Sequence, residues 1–407
     1  MRTGWVRLWR WTAWGGIGLS LYAGWLTVDD VRDRASSERD IVAGCDRLVS
    51  GAEVMDLRGG SVRARTSDYD EYRLDIRDLP GSCTVYQVPR SGGTKGLFTL
   101  VVRTSGAPDP LNWIGDDSGL EPFYAMDGES ADPTAIADRR PEPRPLGDGS
   151  LGWYTNEYAT VRAECGPGSR ATAPKLLHVT ARADYDDVSA ADRRRLVRLA
   201  HTATERLTDR LGCRTRLKAL PDGEQASVPS ALGSARTAGG SCRWFAGHLA
   251  AQGQGRLPDR ALASPSPDTG ARETCLLAVS PAQVRRSSDG LDEEESDYAR
   301  SALSHSPWWL RTASYFGAEA RTVGYDDIGE DVIIEAGTAG HGGGAWWASS
   351  VCDGEPALHT LSTSYLYDNV LDARTLSDLF HAYVDDITER RGCTDVTYPD
   401  ARDFRSS

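Results

Sequence analysis

Along the chain the apolar positions change period several times, and each change marks an element. Trp11 to Val28 is an uninterrupted run of eighteen uncharged, mostly apolar residues. As a helix it would rise roughly 27 Å, close to the thickness of a bilayer's hydrocarbon core. Two later stretches carry the helical period. Leu196, Leu199, Ala200, Ala203 and Leu207 fall on one face, as do Leu376, Leu379, Phe380, Tyr383 and Ile387. Gly212 and Gly392 follow them where a left-handed residue would end each helix. Leu97 to Arg103, the runs around Leu177 and Leu358, Cys275 to Val279 and Asp331 to Ala336 read as strands. The proline-rich stretch Asp132 to Gly149 and the segment Leu257 to Arg272 read as inserted loops. The acidic run Asp289 to Asp297 reads as the solvated start of a helix, because it lacks the alternating oxygen ligands and central glycine of a calcium loop.

The two periodic helices are copies of one another. Asp192 to Cys213 aligns without gaps on Asp372 to Cys393, with identities at Asp192/Asp372, Arg194/Arg374, Leu196/Leu376, Leu199/Leu379, His201/His381, Thr208/Thr388, Arg210/Arg390, Gly212/Gly392 and Cys213/Cys393. Upstream, Leu177-His178 matches Leu358-His359, Cys165 matches Cys352, and Gly81-Ser82-Cys83 matches Gly240-Ser241-Cys242. A period of about 180 residues is far beyond the 20–50 of a solenoid and indicates tandem domains. The expected organisation is a cytoplasmic N-terminus (1–10), a transmembrane helix (11–28), a linker (29–40), repeats at 41–220 and 221–400, and a short tail (401–407). Each repeat is expected to be α+β, an antiparallel sheet packed with one long C-terminal helix.

Charge and cysteines set the compartment. Arg2, Arg7 and Arg10 precede the apolar run and Asp29 and Asp30 follow it, so the positive-inside rule keeps the N-terminus in the cytoplasm and exports the rest. Trp5, Trp9, Trp11 and Trp14 would lie near the inner interface and Trp25 near the outer one. No Ala-x-Ala site follows the run, which favours a retained anchor over a cleaved signal peptide. Val42-Ala43-Gly44-Cys45 imitates a lipoprotein processing site, but the charged stretch Asp29 to Asp40 separates it from the apolar run. Removing the three arginines of residues 1–28 from the net charge of −13 leaves −16 outside, which argues against nucleic acid as a partner. All eight cysteines (Cys45, Cys83, Cys165, Cys213, Cys242, Cys275, Cys352 and Cys393) follow the anchor, and none forms a Cys-x-x-Cys. An even number in an oxidising compartment reads as four disulfides rather than a zinc or redox centre. The repeat favours Cys165–Cys213 and Cys352–Cys393, which flank equivalent strand-helix units; Cys45–Cys83 and Cys242–Cys275 complete the expected set.

Arginine outnumbers lysine 43 to 3, a coding bias of GC-rich genomes. With the Gly-Ser-Cys and helix-Gly-Cys motifs and the single anchor, the chain resembles membrane-anchored envelope proteins of high-GC actinobacteria that carry a duplicated, cysteine-containing ectodomain. The resemblance implies location and architecture and brings no catalytic residue with it.

Candidate chemistry is sparse. His341-Gly342-Gly343-Gly344 resembles an oxyanion loop, yet the chain has no Gly-x-Ser-x-Gly elbow to accompany it. Gly147-x-Gly149-x-x-Gly152 has the letters of a dinucleotide fingerprint but follows a proline-rich stretch instead of a strand. No cofactor motif and no metal-ligand spacing is readable. The leading candidates lie on the repeated helices. Arg194, His201 and Thr208 fall nearly in line off the apolar stripe, Arg374, His381 and Thr388 repeat that line, and Glu205 and Asp385 stand four residues after each histidine. A histidine beside a carboxylate could form a pH-responsive or anion-contacting face; the plain alternative is a solvated structural pair. His178 and His359 read as structural strand residues. These features point to a non-catalytic binding or assembly module whose partner is an envelope protein or cell-wall ligand. The alternative is an envelope hydrolase with a site gathered from scattered residues, Ser241 or His341 among them.

Overall fold

Alternation and helical period fold the chain into two antiparallel sheets, each backed by helices. The computed structural model describes residues 28–404 except 68, 90, 107–108, 116–120, 124–131, 222, 224 and 328. The expected membrane span, but for Val28, lies outside the described residues; among those described, no helix is long and apolar enough to cross a membrane.

The first lobe runs α1 (28–44), α2 (Gly51–Met55), β1 (Ala64–Thr66), β2 (Gly81–Gln87), β3 (Lys95–Thr104), β4 (Asn112–Trp113), β5 (Arg144–Pro145), β6 (Gly152–Tyr154), β7 (Tyr158–Glu164), β8 (Leu176–Ala183) and α3 (Ala190–Leu211). Residues 29–40, expected as a linker, are helical. Arg34 pairs with Glu38 one turn on at 3.0 Å, Arg63 reaches Asp29 and Asp33, and Asp40 accepts from the Thr66 amide at 2.8 Å. The second lobe runs β9 (Gly233–Ser234), α4 (Arg243–Gln252), β10 (Arg260–Ala263), β11 (Arg272–Ala278), α5 (Pro281–Ser287), α6 (Glu293–Ser304), β12 (Trp309–Phe316), β13 (Val323–Asp327), β14 (Glu330–Ile333), β15 (Gly340–Gly342), β16 (Ala345–Cys352), β17 (Glu355–Thr363), α7 (Tyr367–Val370), α8 (Ala373–Arg391) and β18 (Thr394–Thr397). The acidic run does start a helix: Asp292 and Glu295 form a reciprocal capping box at the head of α6. Leu257 to Arg272, expected as a loop, contains β10, whose Leu262 and Ala261 are buried.

Strand orders are β1-β2-β3-β8-β7-β6-β5 and β9-β10-β11-β12-β17-β16-β15, with β18 added beside β16. Read outward from the β8/β17 pair of equivalents, the two strand orders correspond over six strands, β1-β2-β3-β8-β7-β6 with β10-β11-β12-β17-β16-β15, while β5 and β9 have no counterpart. This correspondence corrects two sequence matches. Gly81-Ser82-Cys83 lies in β2, whereas Gly240-Ser241-Cys242 is a one-turn 3-10 helix ahead of α4; the true counterpart of Cys83 is Cys275 in β11. The Leu-His matches also differ by one residue in their facing. Leu177 points into the α3-side core and His178 away from it, while His359 points toward α8 and Leu358 away. Because side chains alternate along a strand, a slip of one residue exchanges the faces.

The apolar stripes of α3 and α8 are buried as their period requires, each against its own sheet. Fully burying one such leucine is worth about 1.5–3 kcal/mol. Gly212 and Gly392, at φ 68° and 63°, close the helices in the left-handed conformation and turn the chain into Cys213 and Cys393. Asp372 caps α8, but its aligned partner Asp192 sits inside the first turn of α3, where Ser189 is the cap.

The domain boundary drawn from the repeat is crossed by one segment. Described parts of the insertion that follows β3, around Ile114, Phe123 and Ala137, lie over the helix-free face of the second sheet. There Ile114 packs with Tyr315 and Leu358, and Phe123 and Ala137 with Leu276 and Trp309. Within this insertion β4 pairs parallel with β13, adding a strand of the first lobe to the β13–β14 hairpin of the second.

All eight cysteines pair as expected: Cys45–Cys83, Cys165–Cys213, Cys242–Cys275 and Cys352–Cys393. Non-reducing peptide mapping should recover these four pairs, and recovery of Cys165 or Cys352 in any other pair would refute the arrangement. Replacing Cys352 and Cys393 together by serine should lower stability by about 3–4 kcal/mol in denaturant unfolding, the loss expected for freeing a loop of this size in the unfolded chain.

Candidate functional site

The repeated helix faces are partly covered by the chain that follows each helix. The ring of His201 lies 3.0 Å through Nε2 from the Lys218 carbonyl, while Nδ1 stands 3.6 Å from Glu205. His381 donates locally, from Nδ1 to the Ser377 carbonyl at 2.8 Å, and its ring stacks on Tyr398 at 4.2 Å. Tyr398 donates to Asp385, so the partner of that carboxylate is a tyrosine from the tail instead of His381. Burial and Asp385 both hold the Tyr398 hydroxyl well above its usual pKa. Arg374 is exposed beside Asp378 at 3.9 Å, and Arg194 is half-buried. Thr208 and Thr388 are buried and donate back to the Thr204 and Val384 carbonyls. Residues of the two lines belong to different lobes.

Ser241 is buried, donates to the Thr274 carbonyl and accepts from the Ser264 amide, which makes it a joint between a turn and β11. His341 lies against Trp346, ring centroids 4.8 Å apart. His359 sits in a sealed polar chain, with Nδ1 2.7 Å from Ser314, Nε2 2.8 Å from Ser350, and Ser314 in turn 2.6 Å from the Tyr383 hydroxyl. Burial, aided by the nearby Arg391, pushes the His359 pKa down to about 3, so the ring is neutral at physiological pH. One ring nitrogen then donates and the other accepts.

No family model, curated protein or solved structure matches this chain.

Where the lobes meet, one carboxylate gathers partners from both. Glu319 follows β12 on a one-turn 3-10 helix and has no exposed surface. Its Oε1 accepts from Arg162 Nε and lies within 2.8 Å of His178 Nε2, and its Oε2 accepts from Asn112 Nδ2 at 2.7 Å. Arg162 and His178 stand opposite one another on β7 and β8, on the face away from α3, and Trp153 on β6 adds its ring edge to His178 at 5.2 Å. Burial alone would push the Glu319 pKa up. His178, Arg162 and the Asn112 donor overcome that penalty and hold the carboxyl well below the usual range.

Arg162 also bonds Glu164, and this second carboxylate opens into a groove along the lobe junction. The groove has a volume of about 1550 Å³. Ile76, Leu79 and Pro174 supply one wall from the first lobe, and Ala318, Arg321 and Glu355 the other from the second. Glu164 on its lining is thus tied through Arg162 to the Glu319 network. Sequence reasoning singled out His178 as structural and passed over Arg162, Asn112 and Glu319, which no motif connects.

Glu319→Ala should destabilise the protein by about 3–5 kcal/mol, the range for removing one partner of a buried ionic network, as measured by denaturant unfolding at neutral pH. His359 predicts a second, separable effect. Its folded pKa is depressed, so only the unfolded chain takes up a proton as pH falls from about 6.5 toward 3. Stability is full above that window and declines through it, by up to about 4 kcal/mol. Unfolding measured from pH 7 to 4 should show this one-proton slope in the native protein and lose it in His359→Gln.

Proposed function

We propose that this chain is a membrane-tethered, extracytoplasmic binding or assembly module with no catalytic role, and that the groove at the lobe junction receives its partner. The observation that carries the reading is a groove walled by both lobes, one of whose lining residues, Glu164, is tied through Arg162 to the Glu319 network that joins the lobes. At about 1550 Å³ the groove exceeds the 300–1,000 Å³ usual for small-molecule sites, so a segment of an envelope protein or cell-wall polymer suits it better than a metabolite. Mixed charge at its rim, from Lys175, Glu164, Arg321 and Glu355, fits a polar partner held through many moderate contacts. Four disulfides support an oxidising compartment, and the apolar, arginine-led N-terminus supports the tether.

Two experiments test this. A reporter active only outside the membrane should work when fused after Ser407; activity of a cytoplasm-only reporter at that position would sink the envelope reading. Photo-crosslinking residues placed at Lys175 and at Arg321 in the full-length chain should trap one common partner in cells. Crosslinks confined to control positions on the outer face of α3 would remove the groove from consideration.

A further inference from the structure

The chemistry of the groove narrows the partner further, a step that rests on reading the groove as the partner site. Among the described residues five charged side chains line it: Arg77, Lys175 and Arg321 against Glu164 and Glu355. Both carboxylates are already engaged. Glu164 is held by Arg162, which it shares with Glu319, and Glu355 stands 3.4 Å from Arg321. Arg77 and Lys175 are exposed, and among the described residues neither makes an ion pair or a side-chain hydrogen bond. Asp75, the nearest carboxylate in sequence to Arg77, accepts from its backbone amide at 2.9 Å. Both free cations belong to the first lobe's wall, in a chain whose net charge is −13. Apolar surface accompanies them. Ile76 and Leu79 flank Arg77, Pro174 precedes Lys175, and all three are half-buried on the lining.

Charges at the rim of a binding surface select partners more than they add affinity. A basic segment would bring like charge against Arg77 and Lys175. A polymer with a negative charge on every repeat would answer those two, but its further charges would face Glu164 and Glu355. Such a polymer also offers nothing to Ile76, Leu79 and Pro174. A peptide can meet both demands, because an extended chain alternates its side chains. Acidic residues can then stand opposite the two cations while apolar ones cover the wall between them.

We propose that the groove receives an extended peptide segment of an envelope protein, one that combines acidic with apolar residues. Apolar contacts along Ile76, Leu79 and Pro174 supply the affinity, and Arg77 and Lys175 set the choice of partner. The acidic remainder of the surface repels such a segment from every other approach, which directs it to this wall.

Selection from a random peptide display library on the purified full-length protein tests this. Peptides retained by the native protein should be rich in Asp and Glu interspersed with apolar residues. The double variant Arg77→Glu, Lys175→Glu should bind those peptides about tenfold more weakly, and selection on it should turn toward Lys and Arg. Both side chains are exposed, and an unchanged melting temperature checks that the fold is kept. If the double variant does not fold, Lys175→Gln replaces it and should weaken binding severalfold. Native selections without an acidic bias, or equal affinity in native protein and variant, would overturn the proposal. Crosslinking from Arg321, which leaves both free cations in place, separates this proposal from the groove reading. Peptide adducts there without acidic residues, or adducts of glycan, strike only the acidic segment; no adducts at all strike both.

Discussion

A carboxylate stripped of water must receive its hydrogen bonds from protein, and Glu319 receives them from three elements of the other lobe. Arg162, His178 and Asn112 come from β7, β8 and β4, so the second lobe's one-turn helix is bound to the first lobe's sheet and to its insertion together. Such a network leaves little freedom to separate the lobes, because any partial opening would leave a charge buried and unpaired. The parallel β4–β13 pairing and the apolar cover that Ile114, Phe123 and Ala137 lay over the second sheet act in the same direction. A groove built on such a junction is set before a partner arrives, which spares the ordering that a mobile site would need on binding.

The two lobes share strand order and disulfide positions, yet their interiors have diverged in polarity. Facing the other lobe, His178 serves a charged network; His359, turned toward its own helix, is neutral and spans two serines. The second lobe keeps a further buried polar site at Glu273, which Arg390 grips at 2.6 Å from the end of α8. Its counterpart in the aligned helix, Arg210, instead pairs with Asp46 near the surface. Identical residues in an alignment thus hold different partners, because the surrounding sheet decides which face each one meets.

Histidines on the repeated helices illustrate the same point from the outside. Their spacing places them in line, as read, but the segments that leave Cys213 and Cys393 fold back over them. One tail contributes the Lys218 carbonyl and the other the Tyr398 ring. A helical wheel shows which residues share a stripe; it carries no information about what the following twenty residues will lay across it.

Local periodicity and duplication were sufficient for the α+β class, both long helices with their glycine caps, most strands and the Cys165–Cys213 and Cys352–Cys393 disulfides. Each of these depends on short-range pattern or on a repeated spacing, which a sequence displays directly. The faces of the matched histidines, the crossing of the insertion into the second lobe and the role of Gly240-Ser241-Cys242 depended on strand register and were settled only by the fold. So was the junction itself. Asn112 and Arg162 lie 207 and 157 positions from Glu319, in stretches with no distinguishing motif, and they become neighbours only when two sheets meet. Long-range polar contacts of this kind arise from desolvation at an interface, a condition that no single segment of the chain encodes.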